Sequence, residues 1–171
     1  LEWRFRAADA GIEDSVRPSE RMRRLGVVQD GDPVLRRPAD PFDLPREHDV
    51  AAGLGELLVA YLAPIRAAHA FGKGNGLAGP QIGIARAAAV VQLPDGEPLV
   101  LYNPRVVDSS DDSDEQYEGC LSCFDIRGLV ERPLRIDVEH QTLDGDIRLI
   151  TFQRAAARLW AELGDVVPEG G

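Results

Sequence analysis

The sequence has few of the residues from which disulfide frameworks and zinc sites are built. It contains two cysteines and three histidines among 171 residues. Because Cys120 and Cys123 lie so close in the chain, they exclude the disulfide framework of a small secreted domain. A structural zinc site would need two further ligands, and the three histidines do not have ligand spacing. The cysteine pair therefore marks a local site, such as a redox couple, or no site at all.

Positive charge and long apolar segments are also scarce. Lys and Arg number 19 against 29 Asp and Glu, which gives a formal net charge of -10. Nucleic acids and anionic membrane surfaces attract basic faces, so we expect neither as a partner. No run approaches the roughly eighteen uninterrupted apolar residues of a membrane-spanning helix, and residues 1–6 lack the apolar core of a secretory signal. The sequence therefore indicates a cytoplasmic protein.

The chain is long enough for one domain with a sizeable core. Residues 1–24 are rich in Arg and Glu, and we expect an N-terminal extension with a short helix through Glu20–Arg24. Residues 25–171 then form the domain. Its clearest element is a helix from Pro45 to about Ala70, where apolar residues recur at helical spacing and Pro64 is expected to kink or end the helix.

Strands follow this helix in the sequence. Apolar runs and alternating patterns predict strands at residues 87–93, 99–107, 134–138 and 147–152. The acidic run Asp108–Glu115 is expected to be a solvated loop. A second helix is expected from Gln153 onward, before Gly164. One helix, several strands and a closing helix predict a single α+β domain.

A glycine-rich loop lies between the first helix and the first strand. Its glycines would let the backbone approach a ligand closely, and they are Gly72, Gly74, Gly76, Gly79 and Gly83. A phosphate loop is disfavoured because no Gly-Lys-Ser/Thr ending follows and Lys73 lies inside the run. A dinucleotide site would need a preceding strand. A tight connection between helix and sheet remains the alternative to a ligand site.

Two segments together carry a resemblance to a known family. Residues 74–81 read Gly-Asn-Gly-Leu-Ala-Gly-Pro-Gln, and residues 118–122, about forty positions later, read Glu-Gly-Cys-Leu-Ser. They resemble the first and second signature motifs of the peptide deformylase family, and the resemblance extends from about residue 25 to about residue 161. It implies a single α+β domain with mixed or antiparallel sheets packed around helices. It also implies hydrolytic removal of the formyl group from N-formylmethionyl peptides with Fe²⁺, or with Ni²⁺ or Zn²⁺ as substitute.

The resemblance assigns roles to residues of this sequence. Cys120 would be the thiolate ligand of the metal. Gln81 and the backbone N–H of Leu121 would stabilise the oxyanion that forms when water attacks the formyl carbon. The backbone of Gly76 and Gly119 would hold the peptide as an added strand. The positions implied in substrate binding are Gly74, Gly76, Glu118, Gly119 and Arg127.

The sequence also departs from the family pattern. The third motif, His-Glu-x-x-His on a C-terminal helix, occurs nowhere in the 171 residues. The segments aligned with it, residues 154–158 or 162–166, contain no histidine, and only Glu162 and Asp165 could offer carboxylates there. Asn75 stands where the family has a hydrophobic residue of the methionine pocket, and Gly79 replaces an alanine. One thiolate without two histidines predicts an incomplete metal site.

Three functions are compatible with this pattern. The first is a deformylase-family protein that keeps a cleft for N-formylated peptides or nascent chains but is catalytically impaired. The second is an active deformylase whose metal site is completed by unusual ligands or by a partner chain. The third is a non-enzymatic module that binds peptides or uses Cys120 and Cys123 as a redox pair.

Overall fold

The computed structural model describes residues 16–69, 71, 74–154 and 156–157. Two α-helices lie at α1 (Pro18–Arg24) and α2 (His48–Ala68). The strands are β1 (Asn75–Ala78), β2 (Ala88–Gln92), β3 (Leu99–Ser109), β4 (Ser113–Glu118), β5 (Gly128–Pro133), β6 (Arg135–Gln141) and β7 (Ile147–Gln153). The predicted helix beyond Gln153 lies mostly outside the described residues, and Gln153 itself ends β7.

Helix α2 forms the centre of the core because its apolar residues recur on one face. Its buried positions include Leu54, Leu58, Leu62 and Ile65. The prediction placed its start at Pro45, but the helix begins at His48. It also continues through Pro64 to Ala68, four residues past the expected break. By length and composition this helix could cross a membrane, but its buried face packs in the domain as a core helix does.

Helix α2 crosses the sheet at short range because Gly55 faces β3. A Cβ atom at this position would lie 2.2 Å from the Tyr102 hydroxyl oxygen and 3.2 Å from Val100 Cγ1. The missing side chain therefore lets helix and sheet pack directly against each other. Burial raises the pKa of the Tyr102 hydroxyl, with the nearby Glu56 carboxylate adding to the rise.

The main sheet has five strands in the order β1-β2-β3-β6-β7, and each neighbouring pair is antiparallel. One face carries Leu77 and Val90, which pack with α2. The other face carries Ala78, Ala89, Leu101, Ile136 and Val138, in a second apolar cluster. Among the described residues β1 is the terminal strand of this sheet. The α+β fold with antiparallel sheets, predicted from the sequence, is confirmed.

A separate hairpin of β4 and β5 contradicts one prediction. The run Asp108–Glu115 was expected to be a solvated loop, but Asp108 and Ser109 end β3, and Ser113 begins β4. Every β4 residue pairs with β5, from Ser113 opposite Pro133 to Glu118 opposite Gly128. Backbone pairing with β5 therefore holds an acidic segment as a strand, despite its low intrinsic preference for one.

Helix α1 packs on the domain that was predicted to begin only at residue 25. The Met22 side chain is fully buried in the cluster that includes Leu58 and Leu121. Arg21 Nη1 donates to the Ala68 carbonyl at 3.2 Å. The short helix predicted at residues 20–24 is confirmed and begins at Pro18. Residues 1–15 lie outside the described part of the chain, and the boundary at residue 25 stays a prediction.

Candidate active site

Gln81 lies in a short 3₁₀ helix, Gly79–Ile82, that directly follows β1. Its side chain is buried, and Oε1 accepts a hydrogen bond from the Ala78 N–H at 2.9 Å. This contact fixes the amide orientation, so Nε2 faces away from Ala78. Nε2 donates to Cys120 Sγ at 3.5 Å. The two segments that the sequence analysis singled out therefore meet at the Gln81 amide and the Cys120 thiol.

Gly79 lets the chain turn sharply from β1 into the Gln81 helix. A Cβ atom at this position would lie 2.6 Å from the Arg86 carbonyl oxygen and 2.9 Å from the Ile84 carbonyl oxygen. The Gly79 carbonyl in turn accepts a hydrogen bond from the Ile84 N–H at 3.0 Å. The segment after Gln81 thus packs directly on the Gly79 backbone. A glycine is needed here because the space that a methyl group would take is filled by backbone.

Cys120 precedes a second short 3₁₀ helix, Leu121–Cys123. Its carbonyl accepts a hydrogen bond from the Cys123 N–H at 3.0 Å. At the start of a helix the first N–H groups have no partner within the helix, which leaves the Leu121 N–H available beside Cys120. Burial raises the pKa of the Cys123 thiol, and the Asp30 carboxylate adds to the rise. Cys123 is therefore held as a thiol, which is the less reactive form.

Residues 27–30 connect the two motif segments. The Val28 N–H donates to the Gln81 carbonyl at 2.8 Å, and the Asp30 N–H donates to the Ser122 carbonyl at 2.7 Å. Gln29 Nε2 donates to the Leu121 carbonyl at 3.1 Å. One extended stretch of backbone thus holds the Gln81 helix and the cysteine helix at a fixed separation. The sequence analysis missed this role, since a single glutamine in an unremarkable segment gives no signal for it.

Arg127 and Glu118 occupy different places around Gly119. A Cβ atom on Gly119 would lie 3.3 Å from Arg127 Cγ, so the Arg127 side chain lies over the backbone that precedes Cys120. Glu118 Oε2 pairs with Arg132 Nε at 3.1 Å, with side chains only 7% and 16% exposed. Such a shielded ion pair holds both side chains firmly, because breaking it would leave a charge buried and unpaired. Arg132 is a second supporting residue that the sequence analysis missed.

An aromatic cluster lies at the C-terminal end of α2. The His69 ring packs edge-on against Phe71 and Phe124, with ring centroids 4.9 Å apart in both pairs. Phe124 directly follows the cysteine helix, so this cluster adjoins the site. Burial lowers the pKa of His69, and the positive charges of Arg127 and Arg21 lower it further. His69 is therefore neutral near pH 7.

Two buried polar side chains near the site have no hydrogen-bond partner in the structure. They are the Asn75 amide, of which neither Oδ1 nor Nδ2 is paired, and the Ser122 hydroxyl. Each residue is 3% exposed. Because almost all buried polar groups in proteins are hydrogen-bonded, each unpaired one needs an explanation. Asn75 begins β1, and Ser122 lies in the cysteine helix, so both are next to the residues that form the site.

The sequence match agrees with this geometry. The polypeptide deformylase family matches residues 25–166, which is most of the sequence and includes both motif segments. The chain belongs to the polypeptide deformylase family.

Relatives and solved structures show the same relationship. A peptide deformylase of Natranaerobius thermophilus is 37% identical over 108 residues, which is 63% of this chain and 64% of that protein. The match thus spans less than two thirds of this relative. A crystal structure of the class I type b peptide deformylase from Acinetobacter baumannii has a TM-score of 0.73 and 26% identity, over 83% of this chain and 93% of that one. A second structure of that protein, with Met-Ala-Ser bound, has a TM-score of 0.66 and 26% identity, over 82% and 91%.

Peptide deformylases are metal dependent, and Cys120 is the only ligand predicted from the sequence. Within residues 16–69, 71, 74–154 and 156–157, no group of three or more His, Cys, Asp or Glu is placed to hold a metal ion. Catalytic divalent metals normally have three protein ligands. The described residues therefore do not fit a catalytic metal. Glu162 and Asp165, the predicted carboxylate candidates, lie outside the described part.

The other predicted site residues in this family member have definite places. Gln81, Cys120 and Leu121 lie together, with Gly119 next to them in the chain. Gly76 lies in β1, two residues before Ala78. Gly74 precedes this strand with a φ of 97°, a value that favours glycine. Gly72 and Lys73 lie outside the described residues.

Proposed function

We propose that this deformylase-family chain binds N-formylated peptides, including those of nascent chains, in the cleft beside β1 and Cys120. We also propose that the 171-residue chain hydrolyses the formyl group slowly. The observation that carries the proposal is the contact of the Gln81 amide with the Cys120 thiol at 3.5 Å, next to the open end of β1. The compartment stays a prediction from composition, which indicates the cytoplasm.

The edge of β1 supports binding of an extended peptide. The Ala78 N–H donates to Gln81 Oε1 and therefore points to the side of β1 away from β2. Backbone groups in a strand alternate in direction with a period of two, so Gly76 presents its N–H and C=O on that same side. A peptide can pair there as an added strand, the mode that many peptide-binding proteins use. Met-Ala-Ser, bound in the A. baumannii relative, is a peptide of suitable length.

Gln81 and Leu121 supply the groups that recognise the formyl oxygen. The Gln81 Nε2 donor is held in place through its own Oε1, and the Leu121 N–H has no partner within its helix. Both lie next to Cys120, where a formyl group would follow the end of β1. Fixed donors around a carbonyl oxygen stabilise the negative charge that develops on it during attack by water. This pair of donors favours a formylated peptide over a free amine.

Slow hydrolysis is inferred from the groups that move protons and hold metal. The 171 residues contain no His-Glu-x-x-His motif. In the described residues Cys120 has no accompanying pair of metal ligands. Loss of a positioned general base alone typically reduces the rate by about 10²–10⁴-fold. We therefore expect this chain to retain selective binding while turning over slowly.

The test uses the purified 171-residue protein and the peptide formyl-Met-Ala-Ser. Calorimetry should show binding of this peptide, and weaker binding of Met-Ala-Ser without the formyl group. In Gln81→Glu, Oε1 can still accept from Ala78 but the Nε2 donor is lost. We expect its affinity for the formyl peptide to fall at least about 10-fold. Formate release should stay slow after anaerobic addition of Fe²⁺ or Ni²⁺.

Gln92→Glu is the matched control. Gln92 lies on β2 and donates to the Gly96 carbonyl at 3.0 Å, away from Cys120. It should leave formyl-peptide binding unchanged. Equal affinity for the formylated and unformylated peptides would contradict the binding proposal. Rapid formate release that a chelator abolishes would contradict slow hydrolysis and would show that this chain has a complete metal site.

A further inference from the structure

Asn75 carries a buried amide that the fold itself does not satisfy. The residue is 3% exposed, and neither Oδ1 nor Nδ2 has a hydrogen-bond partner in the structure. Leaving a buried amide unpaired costs free energy that an apolar residue of the same shape would not cost. A group that is unpaired in the free protein but paired when a ligand binds would explain this arrangement.

The pleat of β1 fixes the face on which this amide lies. Side chains alternate along a strand, so Asn75 shares a face with Leu77, and Gly76 and Ala78 share the other. Leu77 is fully buried in the cluster that α2 forms with Leu121. Phe71 and Phe124 pack on the same cluster. The surroundings of the Asn75 face are therefore apolar, with aromatic rings nearby and the amide as a polar group at the start of the strand.

A peptide bound along β1 would bring one side chain to this face. With the formyl group at Gln81 and Cys120, the peptide begins opposite Ala78, and its first residue lies opposite Leu77. Residues directly opposite each other in a sheet share a face, so the first side chain lies on the face of Leu77 and Asn75. The diagonal neighbour in such a pairing is about 7–8 Å away, which a long side chain can span. The end of that side chain then meets the Asn75 amide.

We infer that Asn75 makes this cleft select N-formyl peptides whose first side chain is long and ends in a hydrogen-bonding group. The inference rests on the proposed function, because it needs a peptide paired with β1. A glutamine side chain has the length of methionine and can both donate to Oδ1 and accept from Nδ2. A norleucine side chain has a similar length and can do neither. The thioether of methionine is only a weak acceptor.

Three peptides test the inference by calorimetry on the 171-residue protein: formyl-Gln-Ala-Ser, formyl-Met-Ala-Ser and formyl-norleucine-Ala-Ser. We expect the Gln peptide to bind at least about 10-fold more tightly than the norleucine peptide, with the Met peptide between them. In Asn75→Leu the order should reverse, because the apolar face then has no amide to satisfy. Asn75→Ala is a second variant, in which the preference for Gln should be lost without a gain for norleucine.

Gln92→Leu is the control, since it replaces an amide directly opposite Asn75 on β2. It should keep the wild-type order of the three peptides. Equal affinities for the Gln and norleucine peptides in the wild-type protein would overturn the inference and leave the proposed function intact. An unchanged ratio in both Asn75 variants would do the same. Failure of the folded wild-type protein to bind any of the three peptides would overturn the proposed function, and the inference with it.

Discussion

His69 shows how the surroundings of one residue couple the site to pH. Its ring packs against Phe71 and Phe124 beside the cysteine helix, and Arg127 and Arg21 contribute positive charge. Burial and these charges lower the pKa of His69, so the folded state disfavours its protonated form. The unfolded chain has an ordinary histidine pKa of about 6.5. Protonation therefore favours unfolding as the pH falls through this value.

We predict that replacing His69 removes part of the acid sensitivity of the protein. Below about pH 6.5 the unfolded state binds more protons than the folded state, so stability decreases from there down to the lowered pKa. The melting temperature of wild-type protein should fall more between pH 7.5 and pH 5.5 than that of His69→Gln. Thermal unfolding followed by circular dichroism at several pH values measures this difference.

Carboxylates do not interfere with this measurement. Hydrogen bonds from Ser19 lower the pKa of Asp125, and hydrogen bonds from Thr151 and Arg135 lower that of Asp137. Their contributions to stability are lost only as the pH falls through these lowered values, below the ordinary aspartate value of about 3.9. The window from pH 7.5 to 5.5 therefore reports on histidine. Parallel pH profiles of the wild type and His69→Gln would contradict the assigned role of His69.

At the scale of elements, the sequence predicted most strands of the main sheet but missed β1 and the β4–β5 hairpin. The pattern method depends on apolar side chains, and β2 and β6 have them. β1 contains Asn75 and Gly76, which are typical of turns, and it is a strand because it pairs with β2. β4 is acidic, and its pairing with β5 holds it in place. Long-range pairing of this kind leaves no local sequence signal.

The site was more predictable than these strands because its two motifs carry residue identities. Gln81 and Cys120 were singled out from residues far apart in the chain, and the structure brings them to 3.5 Å. The supporting contacts were not predictable. Gln29 holds Leu121 through a backbone carbonyl, and Arg132 pairs with Glu118 across a hairpin. Both depend on three-dimensional neighbours that neither motif encodes.

We predict that Gly79→Ala destabilises the element that carries Gln81. The added methyl group would lie 2.6 Å from the Arg86 carbonyl oxygen, so the backbone of one segment must move. Overpacking of this kind typically costs about 1–3 kcal/mol. Urea denaturation should show the loss in the free energy of unfolding. The displaced Gln81 amide should also weaken formyl-peptide binding.

Gly128→Ala provides the control for this substitution. A Cβ atom on Gly128 would meet no heavy atom within 4 Å. The same change of residue should therefore alter the free energy of unfolding by no more than about 0.5 kcal/mol. If Gly79→Ala were equally neutral, the chain after Gln81 would pack less tightly on β1 than the structure shows. The alanine usual at this place in the family would then fit here as well.

At the scale of the whole molecule, helix α1 joins parts of the fold that are distant in sequence. The Ser19 N–H donates to Asp125 Oδ1 at 2.9 Å, just after the cysteine helix. Arg21 reaches the last turn of α2 through the Ala68 carbonyl. Met22 lies between these contacts and is fully buried. The segment before residue 25 is thus packed against both the core helix and the site.

These contacts predict that α1 contributes to global stability. Met22→Ala should lower the free energy of unfolding by about 2–5 kcal/mol, since it removes a fully buried side chain and leaves a cavity. Arg24→Ala is the matched control in the same helix, because Arg24 is 54% exposed and its ion pair with Glu20 spans 3.6 Å. Exposed pairs of this kind contribute about 0–1 kcal/mol. Urea denaturation of both variants measures the difference. A loss of less than about 0.5 kcal/mol in Met22→Ala would show that the folding unit begins at residue 25, as the sequence alone predicts.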